Sequence, residues 1–172
     1  MRARVAIVLM LGVFLVGTGA AYYLTSTATG SLAIRIHDSP PIWSSLTITF
    51  SEVAVHPADA ANDSGWIPLD LSVTRIDFLA AANVSDLLAV DRVAPGTYSQ
   101  LRIVVSSAQG ILSGGAPVTM AVRNGAVVAG TPFTVHGGGT TTLTLDLDLG
   151  RSVQQVGGVW EFQPVLGPSG IG

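Results

Sequence analysis

The chain has 172 residues, a formal net charge of −3 and no cysteine, and every one of its eight basic residues is arginine. Lack of cysteine excludes a disulfide framework, thiolate metal sites, a cysteine nucleophile and a lipid-bearing cysteine. Lack of lysine excludes Schiff-base chemistry, a P-loop lysine and lysine–asparagine crosslinks.

Arg2 and Arg4 precede Val5 to Leu24, a stretch of 20 residues without a charge. At about 1.5 Å per residue it spans about 30 Å, the hydrocarbon thickness of a bilayer. Residues 1–24 are therefore expected to form one N-terminal transmembrane helix, with Arg2 and Arg4 on the cytoplasmic side and Tyr22 and Tyr23 at the far interface. The rival reading is a cleaved signal peptide with Val5 to Val16 as its apolar core and Thr18 and Ala20, or Ser26 and Ala28, framing the cut. The length favours the anchor, and both readings export the remainder. The expected location is the cytoplasmic membrane, single-pass, with residues 30–172 on the extracytoplasmic side; the alternative is secretion after cleavage.

Residues 25–29, TSTAT, read as a short linker. Beyond Arg2 and Arg4, six arginines stand against eleven acids, a net charge of −5 with histidine neutral. Phosphate binding needs a clustered basic face, so nucleic acid is not an expected partner.

SLAIRIH alternates apolar and polar residues and reads as a first strand, stopped by DSPP at 38–41. SLTITFSEVAVHP places Leu46, Ile48 and Phe50 on one face, and Val53 and Val55 then carry the pattern. The phase slips by one at Ser51 and Glu52, the signature of a bulge. PADAANDSG is a loop, WIPLDL and TRIDFL are short strands, and NVSDLLAVDRV fits either a helical turn capped by Ser85 or a strand. Pro95-Gly96 predicts a type II turn. After it, Ser99, Leu101, Ile103 and Val105 face one way, and Tyr98, Gln100, Arg102 and Val104 the other. Asn124-Gly125 predicts a type I′ hairpin. PFTV, TTTLTLDLDL and VWEFQPVL complete about nine strands.

No helical stripe follows residue 30. The expected fold is all-β: an antiparallel β-sandwich of about eight or nine strands over residues 30–167, preceded by the helix and followed by a flexible tail at 168–172. Pairing of the first strand with the last is the expected closure.

GSLAIRIHDSP, SLTITFSEVAVHPA, RIDFLAAAN, APGTYSQLRIVVSSA, PFTVHGGGTTTLTLDLDLGRSVQQVG and WEFQPVL occur in an order that resembles the secreted domain of unknown function 4382 family of bacteria and archaea, over nearly all of residues 30–166. The resemblance implies an envelope-exposed β-sandwich, prealbumin-like or immunoglobulin-like, and no activity. Many members resemble lipoproteins; this chain departs from them in lacking cysteine, which places the anchoring on the N-terminal helix.

Candidate chemistry is sparse. HGGG at 136–139 copies an oxyanion-hole string of some esterases, but there is no GxSxG elbow, and the glycines read as a turn. Asp146 and Asp148 share a strand face with Thr142 and Thr144. Two carboxylates are part of a calcium shell, yet six to eight oxygens are needed, and a solvated outer face is the preferred reading. His37, His56 and His136 are dispersed, and Asp38, Glu52 and Asp77 form no acid–base pair legible in sequence. Asn62 and Asn83 satisfy the glycosylation sequon. Trp43, Trp66 and Trp160 are candidates for a sugar-stacking platform, with core packing the commoner fate of tryptophan.

No cofactor is expected. The sequence points to a noncatalytic, membrane-tethered domain engaging an envelope protein or polysaccharide. The alternatives are a hydrolase of envelope glycans or esters and a structural subunit assembling by strand addition.

Overall fold

A computed structural model describes residues 29–37, 42–61, 64–79 and 86–171. The segment expected to be an anchor, with Arg2, Arg4, Tyr22 and Tyr23, and the sequon asparagines Asn62 and Asn83 lie outside the described residues. Among the described residues no helix is long and apolar enough to cross a membrane.

The fold is all-β. In chain order the strands are β1 (Gly30–His37), β2 (Trp43–Pro57), β3 (Ile67–Leu69), β4 (Arg75–Asp77), β5 (Asp86–Val93), β6 (Gly96–Leu112), β7 (Pro117–Val122), β8 (Ala126–Ala129), β9 (Phe133–Val135) and β10 (Thr140–Leu147). A four-residue helix, α1 (Leu149–Ser152), leads into β11 (Val153–Val156), β12 (Val159–Phe162) and β13 (Leu166–Ile171). Of NVSDLLAVDRV, residues 86–93 form a strand, and Ser85 lies outside the described residues. The expected tail at 168–172 instead continues β13 to Ile171, which pairs with Leu145 of β10.

One sheet has four strands in the order β13-β10-β1-β5, and the other has nine, β11-β12-β7-β6-β2-β3, with β4 on β2 and β8 and β9 on β6. Among the described residues there are thirteen strands instead of the expected eight or nine, several of them segments of only three or four residues. Pairing is not wholly antiparallel: β1 runs parallel to β10, and β12 parallel to β7. Nor do the first and last strands pair, since β10 lies between β1 and β13.

The two sheets share one apolar core. Leu32 and Ile34 of β1 and Leu143, Leu145 and Leu147 of β10 meet Leu46, Ile48, Val53 and Val55 of β2 and Leu101, Ile103 and Val105 of β6. This is the sandwich-like arrangement in which two inner faces exclude water together.

β2 and β6, 15 and 17 residues long, form the spine. Their register shifts between Thr49 and Phe50 and again between Phe50 and Glu52. The second shift leaves Ser51 unpaired and is the bulge expected from the phase slip. The first leaves Ser106 unpaired on β6, so both strands keep their apolar residues inward. Each extra serine turns its hydroxyl to the opposite strand: Ser51 Oγ donates to Val104 O at 3.4 Å and Ser106 Oγ to Thr49 O at 3.2 Å.

A further shift, between His56 and Pro57, leaves Ser99 unpaired and puts Tyr98 on the inner side. Tyr98 is buried, whereas simple alternation had set it outward. Gly96 does not take positive φ, so the expected type II turn is absent. Ala94 and Pro95 form a corner that carries the chain from one sheet to the other.

Asn124-Gly125 also departs from expectation. β7 and β8 do not pair with each other; both run antiparallel to β6, at 108–111 and 101–104. Between the Ala108–Met120 and Val104–Ala126 pairs, four steps along β6 lie opposite six on the other segment. Asn124, at φ 43°, absorbs the surplus, and Gly125 O accepts from Val105 N at 2.8 Å. The pair makes a jog in an edge, not a reversal.

Candidate functional site

The outward side chains of β2 and β6 lie on the face of the nine-stranded sheet away from the core, and the two ends of that face differ. At one end, residues 58–61 and 64–66 fold back over it. His56, only 4% exposed, fastens this cover. Its Nε2 lies 3.1 Å from Ala61 O and 2.9 Å from Ser64 O. Both partners are carbonyls, so Nε2 carries a proton and donates. Nδ1 faces Ser99 Oγ at 3.2 Å. Trp66 packs edgewise on the imidazole with ring centroids 5.1 Å apart, and Arg102 lies 4.4 Å over the Trp66 ring while pairing with Glu52.

Ser99 and His56 are a nucleophile-and-base pairing that alternation concealed, because the bulge at Ser99 creates it. The surroundings make it a latch. The histidine is buried, its second nitrogen is held by two loop carbonyls instead of a carboxylate, and Ser99 Oγ also donates to His56 O at 3.3 Å.

The other end of the face is open. Ser45 and Thr47 of β2, Gln109 and Ile111 of β6, Thr119 of β7 and Arg75 of β4 line a groove of about 390 Å³, within the usual size of small-ligand clefts. β4 is set here because Ile76 is buried in the core and Phe50 N donates to Thr74 O at 2.7 Å. Asp77 holds the strand down: its carboxylate accepts from Ser45 Oγ at 2.8 Å, Leu79 N at 3.1 Å and Leu46 N at 3.4 Å. Arg75 is exposed, and among the described residues its guanidinium has no acidic partner. Arg102, Arg123 and Arg151 are paired with Glu52, Glu161 and Asp148.

A second cleft, of about 350 Å³, lies at the β5–β6 corner between Pro57, Asp59, Ile67, Pro95 and Tyr98. It is mainly apolar and carries a single carboxylate.

The tryptophans do not form one platform. Trp43 is buried against Gly110, and Trp160 meets it edge-on at 5.0 Å. Trp66 belongs to the latch near the far end of β2. Asp146 and Asp148 have separate surroundings. Asp146 abuts Gly167, where a Cβ would strike its carboxylate. Asp148 caps α1, accepting from Arg151 N at 2.9 Å and Arg151 Nε at 2.6 Å. The Arg151 backbone N–H, and after it the Arg151 side chain, hold the Asp148 carboxyl below its ordinary value. Among the described residues no group of three or more histidines, cysteines or acids is placed to hold a metal ion. His136 is exposed at the turn between β9 and β10, where Gly138 takes φ +75° and donates to Thr29 O at 3.1 Å. HGGG thereby seats the turn against the start of β1. Asp38 lies outside the described residues.

Beside apolar Ile111, Pro117 and Val118, the groove presents hydroxyl, amide and guanidinium groups that can hold a polar ligand, and no histidine lines it to relay a proton from the Ser45 hydroxyl. Sequence reading missed it because its residues come from four strands and individually look like ordinary solvated positions. Comparison with curated proteins gave no match, and comparison with solved structures gave none. Residues 29–164 match the family described as a domain of unknown function, DUF4382. With that match spanning most of its length, the chain belongs to the DUF4382 family.

Proposed function

We propose that the chain is a noncatalytic binding domain of the cell envelope, held on the outer side of the cytoplasmic membrane by a helix over Val5 to Leu24, and that it takes up envelope polysaccharide in the groove across β4, β2, β6 and β7. One observation carries the reading. The groove stands open with hydroxyl and amide side chains and neither histidine nor acid lines it, while the candidate acids and base near this sheet face and at α1 are already engaged: Asp77 by Ser45 and two amides, Glu52 by Arg102, Asp148 by Arg151 and His56 by its loop. Of the two sandwich types, the immunoglobulin-like one is favoured by the Tyr98 hydroxyl, which donates back to Ala94 O at 2.8 Å in the manner of a tyrosine corner.

The test is binding of an envelope polysaccharide fraction to the full chain and to Thr119→Trp, which fills the exposed groove wall without touching the core. Saturable binding that Thr119→Trp abolishes supports the proposal. Binding that is indifferent to the substitution, or that requires a protein component of the fraction, defeats it.

A second reading, strand addition, is favoured by β11, which has β12 on one side and no strand among the described residues on the other. Gln154 and Gln155 are exposed along it. Concentration-dependent assembly that Gln155→Pro prevents would support this reading, because proline removes a backbone donor and crowds an added strand.

A further inference from the structure

We infer that the groove selects an anionic polysaccharide, with Arg75 as the contact for its acidic group. The inference rests on the polysaccharide reading above and adds the ligand's charge. Arg75 differs from Arg102, Arg123 and Arg151, each of which has its fork turned to a carboxylate of this chain. It is exposed at the groove wall. An exposed guanidinium is a planar fork suited to a carboxylate or phosphate oxygen pair.

No acidic residue lines the groove. The nearest acid on β4, Asp77, is turned to Ser45 and to the amides of Leu46 and Leu79. An incoming anion therefore meets a cation that no carboxylate of the groove already occupies.

The remaining lining narrows the class. Thr47, Thr119 and Gln109 offer neutral donors and acceptors of the kind that exchange hydrogen bonds with sugar hydroxyls. A polymer whose every unit is charged would need a row of cations, and one arginine does not make a row. A hydroxyl-rich chain carrying spaced oxyanions matches the polar lining, and the C–H faces of its sugar rings suit Ile111, Pro117 and Val118. Aromatic stacking contributes nothing, since none of the tryptophans lines this groove. Recognition is thus set by charge and hydrogen bonding, and weakens with salt.

The experiment uses the full chain in detergent, with sparsely carboxymethylated dextran, sparsely phosphorylated dextran and unmodified dextran of matched length as probes in calorimetric titrations. The expected result is binding of one anionic polymer at least about tenfold tighter than dextran, declining as salt rises. Arg75→Gln should weaken it by about tenfold or more, Arg75→Lys should restore part of it, and Arg123→Gln should leave it unchanged. Which anionic polymer binds tells carboxylate from phosphate. Anionic binding unaffected by Arg75→Gln overturns the inference. Equal binding of dextran and the anionic polymers, abolished by Thr119→Trp, overturns it while leaving the polysaccharide function standing. Binding of no probe and no envelope polysaccharide overturns both.

Discussion

The Tyr98 hydroxyl donates to the carbonyl of Ala94, four residues back, at 2.8 Å, and so closes the corner where the chain passes from β5 to β6. The ring beneath it stacks on Phe133 at 5.4 Å. One side chain thus ties the corner, β6 and β9 together. Tyr98→Phe keeps the stacking and loses the bond, and should cost about 1 kcal/mol in denaturant unfolding.

The same residue sets an alkaline limit. Burial pushes the Tyr98 phenol above its ordinary value, so between the unfolded and folded values the folded state holds the extra proton. Its contribution is fully present below about pH 10 and is lost as pH rises through the raised value. Urea midpoints measured from pH 8 upward should fall above about pH 10 in the wild type and fall less in Tyr98→Phe.

Asp148 behaves in the opposite sense. Its carboxyl is held below the ordinary value, so its contribution is present above about pH 4 and is lost as pH falls through the lowered value. Asp148→Asn keeps a capping oxygen but no charge. Thermal melts below pH 5 should show a shallower acid decline in Asp148→Asn than in the wild type, with the two converging at the acid extreme.

Gly110 is required by Trp43. A Cβ at residue 110 would lie 2.5 Å from the indole ring and 3.1 Å from Ser45 O, so Gly110→Ala must displace a buried ring. The expected loss is about 1–3 kcal/mol, accompanied by altered tryptophan fluorescence in the folded state as the Trp43–Trp160 edge contact shifts.

Removing the His56 latch should free the segments at 58–61 and 64–65. His56→Phe preserves a ring against Trp66 but leaves Ser99 Oγ only its bond to the residue 56 carbonyl and releases the Ala61 and Ser64 carbonyls, at a cost of about 2 kcal/mol. Limited proteolysis should cut within these segments faster than in the wild type, while the groove, at the opposite end of the sheet face, keeps its ligand affinity. Equal cleavage rates would assign the cover to Trp66 and Arg102 instead.

Much of the core was legible in the chain. Leu46, Ile48 and Phe50, then Val53 and Val55, betray both a strand and its bulge, because alternation is a local property and a slip in it has few causes. The same logic failed at Tyr98, where the bulge at Ser99 has no apolar residue to mark it, and at Asn124-Gly125, where a familiar turn pair makes a jog. There the unpaired length of β6 decided the path: it offered backbone partners to β7 and β8 separately. The groove was illegible for a related reason. Ser45, Thr47, Arg75, Gln109 and Thr119 look solvated one by one, and only their registers bring them together.

By itself, then, the sequence determined that the part after residue 29 is β-structured, which of its side chains are apolar enough to turn inward, and which devices the missing cysteine and lysine deny it. Those properties follow from composition and from a two-residue period. Tertiary structure alone decided that β1 lies parallel to β10, that Trp43 and Trp160 meet, that His56 fastens a loop and that Arg75 stands without an acidic partner among the described residues. Each depends on which distant segments share hydrogen bonds, a choice made by the burial of the whole sheet and not by any short stretch of residues.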